Sequence, residues 1–286
     1  MNFSEKYYSI YDLVKQEIDE VKSVVISQIS SVSELKSELT SYLKLPSKHV
    51  RAVLAFLYLK ANNIDIDIKQ IKYQAIIELI HNASLIHDDI IDDSDSRRGK
   101  ESMNYELGNH LSVIGGDLLL SVSLKMMAEL NNNDILKKLT ETFMNMCYGE
   151  ISQHNDKFKI PTEEAYLKKT YNKTASLFEC TLSGAMMLAG GDAVLSADFS
   201  KNFGMAFQIR DDIKNIVESD FSNDIKNGIY TAPVIYSQNS QAPYEGIEKA
   251  KVLLNNYLSE AGRAISVLPD NEYRAGLKEL LELLNE

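Results

Sequence analysis

The chain has 286 residues, of which 44% are hydrophobic and 25% charged, a composition typical of a globular protein with a large buried core. Its formal net charge of -11 and its isoelectric point near 5.0 argue against nucleic acid as a partner. Cys147 and Cys180 form no CxxC motif, the first residues lack the apolar core of a signal peptide, and no uncharged apolar run of about 18 residues exists. We therefore expect a cytoplasmic protein without a membrane span.

Apolar residues recur at helical spacing through most of the chain, and the five prolines leave long stretches without a helix breaker. The pattern predicts helices over residues 5–29, 34–43, 48–62, 111–130, 134–155, 163–189, 197–215, 230–238, 245–260 and 272–285, and between 71 and 92 a helix that is apolar nearly all round. Strand patterns are scarce, and polar stretches at 218–227 and 237–244 predict loops. The sequence predicts an all-α protein with a single domain over residues 1–286.

Five aspartates and two of the chain's six arginines lie in the segment IHDDIIDDSDSRRGK (86–100). If the preceding helix continues through the motif, Asp88 and Asp92 lie one turn apart on the same face, where like charges repel. A solvated acidic surface is the ordinary interpretation of such a run, but this run follows a strongly apolar helix and so indicates the mouth of a buried site. An EF-hand loop is excluded, because Arg98 and Asn104 would stand where that loop needs glycine and glutamate.

A second aspartate pair, Asp211 and Asp212, follows another apolar helical run in FQIRDDIKN (207–215). Two helices that end in paired carboxylates would, if they faced each other, form a negative cleft that is costly when empty and stable when it holds hard divalent cations. Mg²⁺ prefers a few carboxylates plus phosphate oxygens, so the pattern predicts a diphosphate bridged to two carboxylate walls through Mg²⁺. Arg97 and Arg98 supply planar charged groups suited to phosphate, with a solvated surface turn as the alternative interpretation.

Basic residues precede the first motif. Lys48 and Arg51 lie three residues apart and can converge on one anion from a helix face. His81 lies seven residues before Asp88, two helical turns along the same face, although a lone buried histidine is more often an ordinary core residue. Spacing alone therefore leaves the role of His81 open.

Together these motifs resemble those of the trans-isoprenyl diphosphate synthases (polyprenyl synthetases), most clearly over residues 45–236. ELIHNASLIHDDIIDDSDSRRG is similar to the first aspartate-rich motif of that family, and FQIRDDIKN is similar to the second, with Asn215 in place of its third aspartate. Further family segments are matched in order by PSKHVRA, GEISQ (149–153), YNKTASLF (171–178) and NDIKNGIYTAPVIY (223–236).

The resemblance implies an isoprenoid synthase fold, a bundle of long helices around a deep central cavity. It implies a head-to-tail 1′-4 condensation, in which an allylic diphosphate ionises, the double bond of isopentenyl diphosphate attacks the cation, and a proton is lost to the departing diphosphate. It further implies that Asp88, Asp92 and Asp211 bind Mg²⁺, with three ions around the diphosphate, and that Asp89 and Asp212 support them. The remaining implied contacts are Arg97, Lys173, Thr174 and Gln208 for the allylic diphosphate, with Lys173 also counted as catalytic, and Lys48, Arg51, His81 and Arg98 for isopentenyl diphosphate.

Several positions depart from the family pattern. His49 stands where the family has arginine, and Ser219 and Ile229 stand where many members carry lysine; Lys226 and Arg210 are candidate replacements. These losses suggest weakened diphosphate affinity or dependence on a partner. The alternatives are therefore a non-catalytic or partner-dependent subunit of a heteromeric synthase, or a class I terpene cyclase on the same fold.

Product length is predicted from the residues one turn deeper than the first aspartates. Ala83 and Ser84 are small, which favours an open channel and a product of C20 or longer, although small residues also serve close helix packing. The long apolar helices fit a homodimer, with a small second subunit as the alternative. A membrane-soluble product implies transient membrane contact for its release.

Overall fold

The computed structural model describes residues 3–30, 34–218 and 223–286, and in these ranges the chain is helical apart from loops and one short hairpin. The first elements are α1 (Phe3–Asp12), α2 (Lys15–Ile29), α3 (Lys36–Leu43), α4 (Val50–Ala61), α5 (Ile68–Ile91), β1 (Ser96–Arg97), β2 (Lys100–Glu101), α6 (Met103–Leu107) and α7 (Asn109–Glu129). They are followed by α8 (Asn133–Asn155), α9 (Glu163–Thr170), a π-helix (Tyr171–Ala175), α10 (Ser176–Leu188), α11 (Ala193–Glu218), α12 (Asn223–Lys226), α13 (Ala232–Ser237), a 3₁₀ turn (Pro243–Gly246), α14 (Ile247–Ile265) and α15 (Glu272–Asn285).

Two compact units make up the chain. The larger unit comprises residues 1–13, 57–64 and 137–286, and the smaller unit comprises residues 14–56 and 65–136. The all-α prediction is confirmed. The prediction of a single domain over the whole chain stays a prediction.

The smaller unit is built on α5, which packs against α7 and α2. The helix begins with a capping box, in which the Asp67 carboxylate accepts from Lys69 N at 2.6 Å and Gln70 Oε1 accepts from Asp67 N at 3.0 Å. Most of α5 is buried, as its apolar pattern predicts. A row of buried polar residues, Gln70, Gln74, Glu78 and Asn82, recurs every fourth residue along it. Gln70 belongs to the capping box, whereas burial of the other three in an apolar helix is costly unless they are hydrogen-bonded, so they mark a candidate site.

In the larger unit, α11 packs against α10 and α14. Aromatic rings join α10 to α11, with the centroids of Phe178 and Phe207 5.4 Å apart and those of Phe178 and Phe203 5.5 Å apart. This packing fixes the end of the π-helix against the segment of α11 that carries the second aspartate pair.

The structure corrects several predicted boundaries. The helix predicted over 5–29 is two helices, because the chain turns at residues 13 and 14 before α2 begins. The helix predicted over 163–189 is interrupted by the π-helix, whose wider hydrogen-bonding pattern leaves no signature in apolar spacing. Of the loop predicted at 218–227, residues 223–226 are α12, and residues 219–222, including Ser219, lie outside the described residues.

One helix in the described part of the chain, α7, is long and apolar enough to cross a membrane by length and composition. It packs on α5 through a face that includes Gly116, Leu119 and Ser123. A core helix with one buried face passes the same test, so this finding does not indicate a membrane span.

Candidate active site

The first aspartate motif closes α5 in the smaller unit. Asp88 and Asp92 are partly exposed and lie one turn apart, with Asp92 N donating to Asp88 O at 2.8 Å. Asp92 is the C-cap of the helix, where the helix dipole is negative and opposes a carboxylate. Two carboxylates at this helix end repel each other and are opposed by the helix dipole, and their binding of Mg²⁺ stays a prediction.

Asp89, between them, is completely buried and carries a different partner. Arg97 Nε donates to both Asp89 carboxylate oxygens, at 2.9 and 3.1 Å, and Arg97 Nη2 donates to one of them. Burial disfavours the charge of Arg97, but Asp89 more than offsets this and raises the pKa of the guanidinium. Asp89 is therefore an internal anchor for Arg97, which is compatible with the supporting role implied by the resemblance.

Arg97 and Arg98 lie on a short hairpin that the sequence patterns did not predict, Arg97 in its first strand and Arg98 in its turn. Strands β1 and β2 pair Arg97 with Lys100, and the turn residues Arg98 and Gly99 have φ of 53° and 78°. A type I′ turn needs positive φ at both central positions, which explains the glycine of the RRG motif. As a result Arg97 contacts Asp89, while Arg98 Nη1 lies 3.4 Å from Asn82 Oδ1 on the buried polar row of α5.

Predicted isopentenyl diphosphate residues do come together in the smaller unit. The charges of Arg51 and Arg98 both act on His81, and after burial they are the main causes that hold the pKa of His81 well below its usual value. His81 is therefore neutral near pH 7 and adds no charge to this cluster. Lys48, on the segment before α4, is exposed.

Glu78 and His49 also belong to this cluster, and the sequence did not predict the role of Glu78. Burial raises the pKa of Glu78, but the hydrogen bond from His49 Nδ1 at 2.9 Å and the charges of Arg51 and Arg98 together lower it below its usual value. His49, which replaces the family arginine, is thus committed to Glu78. The sequence does hold an indication of Glu78, because it is a single carboxylate within the apolar stretch of α5.

The second aspartate motif lies in the larger unit. Contrary to the expectation from the sequence, it does not end its helix, because α11 continues for seven residues beyond Asp211 to Glu218. The Asp211 side chain is 40% exposed, whereas Asp212 is buried and accepts from Tyr166 Oη at 2.6 Å and Gln208 Nε2 at 2.9 Å. Burial raises the pKa of Asp212 to about 6, although Lys169 opposes the shift.

Lys173 and Thr174 lie in the π-helix, a rare form that is frequent at functional sites. Thr174 Oγ1 donates to Gln208 Oε1 at 2.8 Å, and Lys173 Nζ lies 2.5 Å from Glu150 Oε2. The structure therefore joins Thr174, Gln208 and Asp212 in one hydrogen-bonded chain that also includes Tyr166. Lys173, next to Thr174 in sequence, forms a separate ion pair with Glu150, and the sequence predicted neither Tyr166 nor Glu150.

The same segment explains the GEISQ motif. A Cβ atom on Gly149 would lie 2.8 Å from the backbone nitrogen of Lys173 and 3.1 Å from its Cα. Only glycine lets α8 approach the π-helix this closely. Two motifs far apart in sequence are thus a single contact in the fold.

The predicted product-length residues differ in exposure. Ala83 has no accessible surface, whereas Ser84 is partly exposed, with Ser84 Oγ donating to His81 O at 2.9 Å. Between these two, Ser84 is the residue that borders open space. Their control of product length stays a prediction.

Other departures from the family also have a place in the larger unit. Asn215 Nδ2 donates to Asp224 Oδ2 at 3.2 Å, so it tethers α11 to α12. Arg210 Nη1 lies 3.8 Å from Asp211 Oδ1, and the guanidinium stacks over the ring of Phe3 at 4.6 Å. Lys226 is exposed.

The donor set suits Mg²⁺. The partly exposed carboxylates Asp88, Asp92 and Asp211 are hard oxygen ligands, and among the described residues no three His, Cys, Asp or Glu side chains form a complete metal cage. Mg²⁺ commonly takes one or two carboxylates and completes its shell with water and phosphate. The two motifs lie in different units, and a metal site shared between them stays a prediction.

An all-α fold with two aspartate pairs, an RRG hairpin and a Lys-Thr π-helix defines an isoprenoid synthase fold. The family model for polyprenyl synthetase matches residues 32–266, and the chain belongs to that family.

Individual relatives agree with the family. The chain is 34% identical to solanesyl-diphosphate synthase 1, mitochondrial, of Oryza sativa subsp. japonica over 231 residues, which cover 69% of this chain but only 54% of that relative. It is 28% identical to heptaprenyl diphosphate synthase component 2 of Bacillus subtilis over 318 residues, covering 98% and 91%. A solved polyprenyl synthase from Caulobacter crescentus CB15, complexed with calcium and isoprenyl diphosphate, has a TM-score of 0.89 at 22% identity and coverage of 98% and 97%.

Proposed function

We propose that this chain is a trans-polyprenyl diphosphate synthase that condenses isopentenyl diphosphate with an allylic diphosphate, head to tail, to give an all-trans product of C20 or longer. The observation that carries the proposal is the division of labour in each aspartate pair. In both motifs one aspartate is partly exposed, and its neighbour is buried and held by protein donors, Asp89 by Arg97 and Asp212 by Tyr166 and Gln208.

The residues of each unit take different substrates. In the larger unit, Lys173, Thr174 and Gln208 bind the allylic diphosphate, with Asp211 as a metal ligand. In the smaller unit, Arg51, His81 and Arg98 hold isopentenyl diphosphate, with Lys48 in reach of solvent. When bound, Mg²⁺ supplies Lewis-acid withdrawal of electrons from the allylic C–O bond, and the Caulobacter polyprenyl synthase complexed with calcium and isoprenyl diphosphate supports a divalent metal.

The preorganised positive charge around the leaving diphosphate is the main catalytic contribution of the protein. The arginines of the hairpin keep their charge at any working pH, so this stabilisation does not depend on protonation. Its lowered pKa makes His81 a weak base, so the proton of the reaction departs with the diphosphate.

The test is incubation of the purified chain with Mg²⁺, radiolabelled isopentenyl diphosphate and a C5, C10, C15 or C20 allylic primer, followed by product chromatography. We expect incorporation into chains of C20 or longer and its loss in Asp88→Asn and Asp211→Asn. A matched control is Asp95→Asn, an exposed aspartate outside both pairs. Cyclised products without isopentenyl incorporation would identify a terpene cyclase instead, and no turnover with any primer would identify a non-catalytic subunit.

We further propose that the chain forms a homodimer through α7. Leu111, Val113, Ile114 and Leu124 are each 40–46% exposed and are spread over the side of this helix opposite its buried residues. Light scattering should give twice the chain mass, and Ile114→Glu should halve it. A monomer whose turnover appears only with a second protein would instead match the name of the Bacillus relative, component 2 of its synthase.

We propose a cytoplasmic location, with transient membrane contact for product release. The long hydrocarbon chain of the product favours its release into a membrane. Among the described helices only α7 has the composition of a membrane span, and it packs on α5. Fractionation of cells that express the full chain should place the protein with the cytosol.

A further inference from the structure

Lys169 is a basic residue of the larger unit that no sequence motif singled out. It lies on α9 one turn before Lys173, a spacing at which like charges repel. Lys173 is compensated by Glu150 at 2.5 Å. Among the residues that the structure describes, no ion pair or hydrogen bond engages the ammonium group of Lys169, which lies over the ring of Tyr166 at 5.6 Å.

The electrostatic surroundings of Lys169 are those of the second aspartate motif. Burial is the main cause that lowers the pKa of Lys169, Lys173 lowers it further, and Asp212, Asp224 and Glu150 oppose the shift. Although these three carboxylates oppose the shift, burial and Lys173 still lower the pKa of Lys169, so its positive charge is poorly compensated in the free protein. Such a group is well suited to an incoming anion.

Lys169 and Ile229 lie on the same part of the larger unit. Both residues line one narrow cleft of about 10 Å³, together with Tyr166, Gln153 and Gly228. Ile229 supplies no charge there. The two replacements considered from the sequence do not fill the place either, because Arg210 is paired with Asp211 and Phe3, and Lys226 is exposed at the end of α12.

We propose that Lys169 binds the diphosphate of the allylic substrate and provides in this chain the positive charge that Ile229 does not. The assignment rests on the proposed function of this site, which it makes more specific. Lys169 and Lys173 then bind the diphosphate together. The charge of Lys173 is balanced by Glu150 in the free protein, whereas the charge of Lys169 is balanced only by the bound diphosphate.

The test uses the full chain and has two readouts. Titration calorimetry with inorganic pyrophosphate and Mg²⁺ measures binding without turnover. We expect Lys169→Met to weaken binding about tenfold to a hundredfold, the usual range for a hydrogen bond to a charged group. Lys168→Met, at the exposed neighbouring lysine, is the matched control and should bind as the wild type does. In steady-state kinetics the KM for the allylic primer should rise in Lys169→Met while the KM for isopentenyl diphosphate stays constant.

Two further variants separate charge from fold. Lys169→Arg should retain binding, and the double variant Lys169→Met with Ile229→Lys should recover it, because the charge returns to the same cleft. The proposal is overturned if Lys169→Met binds pyrophosphate as tightly as Lys168→Met, if the double variant binds no better than Lys169→Met, or if the wild type binds no pyrophosphate. A wild type that binds pyrophosphate but elongates no primer refutes the synthase function alone, since the binding comparison still tests Lys169.

Discussion

Gly149 offers a direct test of how the fold places Lys173. A methyl group at this position would lie 2.8 Å from Lys173 N and 3.1 Å from Lys173 Cα, both backbone atoms that cannot move by rotamer change. Alanine in a helix interior is normally about 1 kcal/mol better than glycine. Overpacking costs about 1–3 kcal/mol, so the usual gain should be cancelled or reversed.

Gly262 on α14 is the matched control. A Cβ there meets only Leu281 Cδ1, at 4.0 Å. Gly262→Ala should therefore raise the free energy of unfolding by about 1 kcal/mol. Gly149→Ala should be less stable than Gly262→Ala by about 1–3 kcal/mol, a factor of about 5–150 in the unfolding equilibrium.

Urea unfolding followed by circular dichroism measures both variants, and steady-state kinetics measures the consequence for the site. Because Gly149→Ala pushes on the backbone of Lys173, it should raise the KM for the allylic primer, which Gly262→Ala should leave unchanged. If the two alanine variants prove equally stable, α8 and the π-helix are not in tight contact and the explanation of the GEISQ glycine is wrong.

Three further predictions concern single side chains. Arg97→Ala leaves the buried Asp89 carboxylate without its guanidinium partner. It should lower the free energy of unfolding by about 3–5 kcal/mol, measured by urea unfolding, and a loss below about 1 kcal/mol would show that the pair is solvated. Ser84→Phe should shorten the product seen by chromatography, and an unchanged length would refute the channel. Tyr166→Phe should cost about 1–3 kcal/mol. Burial raises the pKa of Asp212 to about 6, above its unfolded value of about 4, so the free energy of unfolding falls as pH rises between these two values. The hydrogen bond from Tyr166 lowers this pKa, so Tyr166→Phe raises it further and extends the fall to higher pH. The variant should therefore lose more stability at pH 8 than at pH 5, and an equal loss would contradict the linkage.

The sequence predicted the parts of the fold that depend on local periodicity. The apolar character of α5 and the aspartate pair at its end appear in the structure as expected, whereas the second pair lies inside α11 and does not end it. The π-helix and the RRG hairpin did not appear in that analysis, because a five-residue change of hydrogen-bond register and two-residue strands alter no apolar repeat.

The predicted site residues divide in the same way. The motif residues Thr174 and Gln208 are hydrogen-bonded to each other, but Tyr166, which donates to Asp212, comes from α9, which carries no recognisable signature. Glu78 and Tyr166 act through single hydrogen bonds to His49 and Asp212. Such pairings depend on which faces of two helices meet, and one sequence does not specify that.

The hydrogen bonds from Thr174 to Gln208 and from Gln208 to Asp212 have a fixed direction. An ionised carboxylate only accepts, so the amide nitrogen of Gln208 must face Asp212 and its oxygen must face Thr174. The single hydroxyl proton of Thr174 is therefore already donated to Gln208 Oε1. A phosphate oxygen that docks on this hydroxyl has to take that proton from Gln208, whose amide oxygen then loses a donor while its nitrogen keeps donating to Asp212.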